Sequence, residues 1–565
     1  MTQIVSSFYK KNIVKKLIFQ GVNPILARIF CIRGIKSLKD IHYNFNSLLL
    51  PSLLLNSNKA AVLLANTINL KKKILIFADY DCDGISACAL CYRVLRIFGA
   101  LNIEYFIPNR FKNGYGFTLE TVKFILKTKS PDLIITVDNG ISNIEGVSYA
   151  IKKNIKVIIT DHHLPKEKLP QKCIIVNPNQ PLCNFPSKNL SGVGVIFYVL
   201  WSLQKELLKR GIFNKENKPK LTNFLDLVAL GTIADSVKLD FNNRILVSKG
   251  LKIIRSGKAN LGINSLFLIS KKSYFLANVN DLSFLIIPKI NSLGRLHDVS
   301  LGIKCLILNN KKKILKIVKR INELNNYRKH IENSMYNLIL KLIKNINLQK
   351  HKTITIYNDL FNEGLIGIFS SRLRDKFYKP VIIFAKSFNN FLKGSGRSVA
   401  GFNLYNVLVL ISKKNPFLIK NFGGHFMAVG LTIHKDNFLL FKNEFELLGK
   451  LLINNYNNNK IINTDGKISS KYYSIKFFNL INNYVWGEQF PYPIFYDYFK
   501  VIYQKILKKK HLKILLEKKN IKYHAIWFNH NKKINNYALI AFKLICNYYY
   551  NTKKINLLIE YAYSL

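Results

Sequence analysis

Three carboxylates stand at alternate positions in Asp79-Tyr-Asp81-Cys-Asp83-Gly84. That much negative charge in so short a stretch is unfavourable unless cations neutralise it, and Gly84 allows a tight turn out of the motif. Divalent-metal binding is the chemistry this pattern suggests. An acidic surface loop or the opening of a calcium loop would use similar residues, but no acidic residue near Val94 closes such a loop. Three more segments carry matching chemistry: Val137-Asp138-Asn139-Gly140, Asp161-His162-His163 and Gly231-Thr-Ile-Ala-Asp235. Adjacent histidines after an aspartate are difficult to explain by packing. Mixed Asp/His ligation suits two hard or borderline cations bridged by a carboxylate, which activate water and neutralise a phosphoryl group. Imidazole donors favour manganese over magnesium.

These segments need elements that bring them together. Apolar runs at 74–78, 133–137 and 157–160 read as buried strands, and they alternate with helical spacing such as that of 85–98. That alternation predicts βαβ units and a parallel sheet, with the acidic and histidine residues at the carboxyl ends of its strands. Residues 1–70 read as short amphipathic helices, and 71–307 as the α/β region that carries the motifs. Over 308–347 a long connecting helix is expected, with Ile314, Ile317, Val318, Ile321 and Leu324 on one face. A second α/β region follows at 348–453, with strands at 353–357 and 380–384 and glycine-rich turns at 393–398 and 422–425. An Asn-rich linker is expected at 454–466, and the Tyr-, Phe- and Ile-rich residues 467–565 suit a small β-barrel.

The chain has 565 residues, 49% hydrophobic and 21% charged, enough for several folded domains and unlike a disordered tail. Lys and Arg number 86 against 31 acidic residues, a net charge of +55 that fits a polyanionic partner. Only 14 of the 86 are arginine, and Asn, Ile, Phe and Tyr are also abundant. Those residues share A/T-rich codons, so the charge carries weight only where it coincides with motifs. Eight irregularly spaced cysteines form no disulfide framework, and Cys88-Ala-Leu-Cys91 reads as packing in an apolar helix. Free thiols suit a reducing cytoplasm. No targeting segment and no run of roughly 18 apolar residues appears, so a cytoplasmic protein without membrane contact is expected.

The order Asp-x-Asp-x-Asp-Gly, Val-Asp-Asn-Gly, Asp-His-His and Gly-Thr-Ile-Ala-Asp resembles the DHH phosphoesterase superfamily. Within it the chain is similar to the RecJ family of single-strand-specific 5′ to 3′ DNA exonucleases. Further motifs carry the likeness: Ile107-Pro-Asn-Arg110 with Gly114-Tyr115-Gly116, Leu190-Ser-Gly-Val-Gly194, Asn291-Ser-Leu-Gly-Arg295, Lys393-Gly-Ser-Gly-Arg-Ser398, Gly423-Gly-His425 and Trp486-Gly-Glu-Gln-Phe-Pro491. The resemblance implies two α/β domains, a DHH domain and a DHH-associated domain, joined by the long helix and followed by an OB-fold. It implies that Asp79, Asp81, Asp83, Asp138, His162 and Asp235 bind or position two Mn2+ or Mg2+ ions. In that scheme Asp138 bridges them, and Asp79, His163 and His425 take catalytic roles. Arg110, Arg295, Ser395 and Arg397 would anchor a 5′-terminal phosphate, and Tyr115 would stack on a base or gate the strand.

The implied activity is hydrolysis of single-stranded DNA to 5′-mononucleotides in repair and recombination, alongside a helicase and a single-strand-binding protein. Two alternatives stand beside it. A DHH phosphodiesterase for oligonucleotides or dinucleotides would be shorter and lack the OB-fold, and a non-catalytic single-strand-binding scaffold would lack metal ligands. Lys289, Asn362 and Lys238 depart from the residues usual in the family and bear on phosphate or strand contacts, not on metal ligands.

Overall fold

Uninterrupted apolar runs are what a parallel sheet covered on both faces requires. The computed structural model of the chain describes residues 3–108, 116–296, 299–344, 346–453, 461–549 and 552–564. In it the runs become β1 (Ile74–Ala78), β3 (Leu133–Val137) and β4 (Lys156–Thr160), with β2 (Ile103–Phe106) and β5 (Ile174–Val176) beside them. All pairs are parallel, in the order β2-β1-β3-β4-β5. The direction of strand addition reverses between β1 and β3, and open α/β sheets form a ligand crevice outside the carboxyl ends at such a point. Both strands are buried at every residue. On one face Leu75, Phe77, Ile134 and Ile159 join Phe117 and Val122 in a single core.

Three helices complete the positioning frame. The first, α1 (Cys82–Ile97), leaves β1 and holds Cys88 and Cys91 fully buried, so both thiols are packing groups as expected. Next come α2 (Gly192–Lys209) and α3 (Leu225–Ala234). The third is buried from Leu225 to Ile233, which explains an apolar sequence with no polar face. The long helix α4 (Lys311–Lys344) buries Ile314, Val318, Ile321 and Leu324 along the expected stripe.

The chain forms two compact units, one of residues 4–322 and 462–565, the other of 323–461 with the extreme N-terminus. The second unit contains a mixed sheet of β6 (Ile354–Tyr357), β7 (Val381–Lys386), β8 (Phe391–Arg397), β9 (Asn421–His425) and β10 (Ala428–His434), ordered β9-β10-β8-β7-β6. Alternate residues of β7 face two cores. Val381 and Ile383 pack with Met335 and Ile339, whereas Ile382 and Phe384 pack with Phe441 and Phe445. The glycine-rich segments expected as turns are strands instead. A Cβ on Gly394 would lie 2.6 Å from the Phe384 ring and 2.7 Å from Leu431, so glycine serves close approach here.

Within the first unit, the C-terminal residues close a five-stranded barrel of β11 (Phe495–Leu507), β12 (His511–Lys518), β13 (Ile521–Trp527), β14 (Tyr537–Tyr549) and β15 (Thr552–Ser564). Asp497 points into it, accepting a hydrogen bond from the Tyr473 hydroxyl and pairing with Lys518. Of the expected linker 454–466, residues 454–460 lie outside the described residues, and Ile461–Thr464 pairs with Gln3–Ser6. Among the described residues no single helix is long and apolar enough to cross a membrane.

The segment before the barrel is welded to the N-terminal helices. The Phe30 ring lies 4.9 Å from Tyr484 and 6.0 Å from Trp486, and the Arg244 guanidinium lies 4.3 Å from the Phe490 ring centroid. Arg33 forks onto Asp465 at 2.6 and 2.9 Å, with side chains only 7% and 3% exposed, and also donates to the Pro491 carbonyl. Removing one partner of such a pair strands a buried charge. Asp465→Ala should therefore destabilise the chain by about 3–5 kcal/mol. A urea-unfolding midpoint equal to that of the parent would show the pair to be energetically neutral.

Candidate metal centre

Each strand end delivers its residue by a distinct local device. Beyond β1, Asp81 caps α1 by accepting hydrogen bonds from the backbone N–H groups of Asp83 (2.9 Å) and Gly84 (3.0 Å). This bends the chain so that the three carboxylates do not continue along one strand face. Beyond β3, Asp138 adopts φ +63°, a left-handed conformation that Asp tolerates better than most residues. Beyond β4, the buried Asp161 accepts from the His162 and His163 backbone N–H groups, from Ile141 N and from His163 Nδ1 at 2.7 Å. Asp235 caps the end of α3. The backbone carbonyls of His162 and His163 are clamped in turn by the Asn179 and Asn177 side-chain amides.

The seven acidic and histidine residues singled out as ligands or catalytic groups around the sheet converge. Three overlapping groups have ligand atoms within 4.8 Å of one another: Asp79, Asp81 and Asp138; Asp138, His162 and His163; Asp83, His162 and Asp235. Asp138 and His162 each belong to two. Asp138 Oδ1 and Asp235 Oδ2 lie 3.2 and 3.4 Å from His162 Nε2. All three atoms are buried and, among the described residues, without a hydrogen-bond partner. Orphaned polar atoms so close together are unfavourable by themselves, and a cation is the group that fits them. Oxygen donors with imidazole suit manganese or magnesium.

The electrostatics carry the same message. Burial pushes the Asp83 carboxyl up to about 8 and that of Asp235 to about 7, with Asp235 and Asp81 respectively the next contributors. Asp79 and Asp138 are also raised, by burial first and then by neighbouring carboxylates. Burial lowers His162, and His163 adds to that. Burial opposes the charge on His163 too, but the hydrogen bond to Asp161 outweighs it and lifts the imidazole to about 9.

Close backbone approach supports the cluster. Asp83 accepts from the N–H groups of Gly192 (2.6 Å) and Val193 (3.1 Å) at the start of α2. A Cβ on Gly192 would lie 2.5 Å from Asp138, and one on Gly231 would lie 2.3 Å from Asp83 Oδ1. Asn291 accepts from Cys82 N, and a Cβ on Gly294 would meet the Tyr80 carbonyl at 2.7 Å, so the short helix Leu293–Leu296 that carries Arg295 sits on the Asp79–Asp83 loop.

In the other unit, sheet register sets His425 opposite Ala428, and Ala428 opposite Arg397, so both functional candidates share one row. Arg397 Nη1 donates to the Gly396 carbonyl and to Ser395 Oγ at 3.4 Å. Gly367 leaves open the space beside Ser395 and Arg397. Arg110 and Tyr115 lie outside the described residues. Sequence reasoning gave no role to Asp161, Asn177, Asn179 or the Gly192 and Val193 amides. The Asp-His-His and Leu-Ser-Gly-Val-Gly motifs carried the signal for Asp161 and for the amides.

Known families match along the chain: the DHH family N-terminal domain at residues 73–232, the DHHA1 domain at 351–450 and the RecJ OB domain at 464–561. The single-stranded-DNA-specific exonuclease RecJ of Haemophilus influenzae is 37% identical over 95% of this chain and 96% of its own length. That of Escherichia coli is 36% identical over 87% and 86%. The crystal structure of Thermus thermophilus RecJ in complex with Mn2+ shares the fold at a TM-score of 0.83, with 24% identity, covering 100% of this chain and 79% of that one. A crystal structure of exonuclease RecJ bound to manganese is 28% identical with a TM-score of 0.60, covering 72% of this chain and 96% of that one. With identity at this level along nearly the full length of both chains, this chain belongs to the RecJ family.

Proposed function

We propose that the chain is a metal-dependent exonuclease that hydrolyses single-stranded DNA from the 5′ end and releases 5′-mononucleotides. The observation that carries the hydrolytic reading is the meeting of three orphaned buried atoms, Asp138 Oδ1, His162 Nε2 and Asp235 Oδ2, at the carboxyl edge of a parallel sheet. Two manganese or magnesium ions held there would activate a water and neutralise charge on the scissile phosphoryl group. Asp79, Asp81, Asp83, Asp138, His162 and Asp235 would hold them, with Asp138, which belongs to two ligand groups, as the bridge. The Gly192 and Val193 amides fix Asp83, and Asp161 fixes the His163 ring by its Nδ1.

Polarity belongs to the phosphate anchors. Arg397 is desolvated and lies near the Arg374 guanidinium, and both effects leave it in want of an anion. Ser395, Arg295 and Arg110 join it as phosphate contacts, His425 acts on the substrate phosphate, and Tyr115 touches the strand. The matched OB domain favours long single strands over dinucleotides, and the complete ligand set favours catalysis over a scaffold role. A cytoplasmic role in DNA repair and recombination, beside a helicase and a single-strand-binding protein, follows from this reading.

Asp138→Asn keeps a residue that tolerates positive φ and removes the bridging charge. Hydrolysis should fall by about a thousandfold or more while the circular dichroism spectrum stays unchanged. Activity within a few-fold of the parent would remove Asp138 from the reaction.

The raised carboxylates also make metal and pH interdependent. In the metal-free protein Asp83 and Asp235 bind protons more tightly folded than unfolded, so their stabilising share is complete at low pH and disappears as pH rises through about 7 to 8. Thermal melts in EDTA should therefore drop between pH 6.5 and 8.5, and added Mn2+ should raise the midpoint more at pH 8.5 than at 6.5. A manganese-induced rise that is larger at pH 6.5 would contradict the assignment.

Arg397→Ala removes a guanidinium whose charge-assisted bonds are worth roughly 1.5–3 kcal/mol, or one to two orders of magnitude in rate. Strands with a 5′-phosphate should lose that much, and strands with a 5′-hydroxyl much less. Equal losses on the two substrates, or wild-type digestion from the 3′ end, would dispose of the proposed polarity.

A further inference from the structure

A cavity opens at the end of α3 opposite Asp235, roughly 14 Å along the helix at 1.5 Å per residue. Its volume is about 410 Å³, within the range of small-molecule sites. Asp226 forms part of its wall. That carboxylate is 2% exposed and accepts from Leu227 N at 2.9 Å and Asn260 N at 2.6 Å, tying the start of α3 to the residue that caps helix Leu261–Ile269. Arg93, Lys220 and Lys258 supply three cations to the same wall. None of them makes an ion pair among the described residues, and the only carboxylate in the lining already serves two backbone donors. The cavity therefore has surplus positive charge.

It also has a flat apolar side. Phe224 lines it, with the Arg93 guanidinium over the ring at 5.7 Å from its centroid and Arg93 Nη1 anchored on the Leu306 carbonyl. One anchored guanidinium and two exposed lysines beside an aromatic residue match an anion attached to a planar group. Guanidinium and ammonium groups take a phosphate, and aromatic faces take a base. We propose that this cavity binds one nucleoside monophosphate, its phosphate held by Arg93, Lys220 and Lys258 and its base against Phe224. The site stands on its own lining. Only the local supply of the ligand, as the product released, rests on the exonuclease reading.

The test is calorimetric titration of the full chain with dAMP in EDTA, where no hydrolysis contributes. Saturable binding is expected. The double variant Lys220→Glu/Lys258→Glu, at two exposed positions, should bind at least about tenfold more weakly, the scale of one charge-assisted contact, with melting midpoint and exonuclease activity unchanged. Lys258→Gln alone should weaken binding in the same direction. Deoxyadenosine and inorganic phosphate should each bind at least about tenfold more weakly than dAMP, because each meets half of the site. Binding by Arg397→Ala should equal that of the parent. The proposal falls if dAMP does not saturate, if phosphate alone binds as well as dAMP, if the lysine variants bind normally, or if Arg397→Ala abolishes binding. The last result would place the nucleotide in the other unit. Because no metal or turnover is involved, failure here leaves the exonuclease reading intact, and loss of exonuclease activity would leave this site intact.

Discussion

Crowding of buried negative charge at the end of one sheet is the constraint around which the first unit is organised. Asp79, Asp83 and Asp138 sit buried at that edge, where burial first and then neighbouring carboxylates raise the proton affinity of each. Such a cluster is tolerable only if backbone donors, imidazoles and cations share its charge. The protein supplies the first two itself. Backbone N–H groups at the starts of α1 and α2 point at Asp81 and Asp83, and the positive ends of these helices add to the effect. The remaining deficit is concentrated on Asp138 Oδ1, His162 Nε2 and Asp235 Oδ2, which have no hydrogen-bond partner among the described residues.

The same constraint explains why small residues surround the site. Two helices must bring backbone amides and a helix flank to within contact of the carboxylates, and at Gly192 and Gly231 a single methyl would collide with them. The site is therefore built as much from main chain as from side chains. A substitution that touches no ligand can still displace one.

Much of this was legible in the residues. The three buried strands announced themselves as apolar runs that end in Asp or His, and the cluster they bring together was readable because few other uses exist for paired histidines after an aspartate. The barrel followed from aromatic and β-branched composition. What escaped had no signature in residue type. The amides that hold Asp83 belong to Gly192 and Val193, and any residue carries an amide. Asp161 stood in plain view in its motif, but its partner could be assigned only once His163 Nδ1 was seen 2.7 Å away. The segments around Gly394 and Gly423 read as turns because glycine marks both turns and close packing, and only the neighbours Phe384 and Leu431 separate the two meanings. Arg33 and Asp465 are 432 positions apart, beyond the reach of any local pattern.

That separation has a consequence for how the molecule comes into being. The unit of residues 4–322 and 462–565 is interrupted in sequence by the other, whose residues are nearly contiguous. During synthesis the inserted unit is complete first. The N-terminal helices, with Phe30 and Arg33 awaiting Trp486 and Asp465, must persist with an uncovered face while more than four hundred residues are added. At ~5–20 residues per second this interval is on the order of 20 to 90 seconds, long enough for chaperones to engage and for wrong partners to compete. The weld that makes the barrel integral to the metal-binding unit thus ties completion of the first unit to the emergence of residues 462–565.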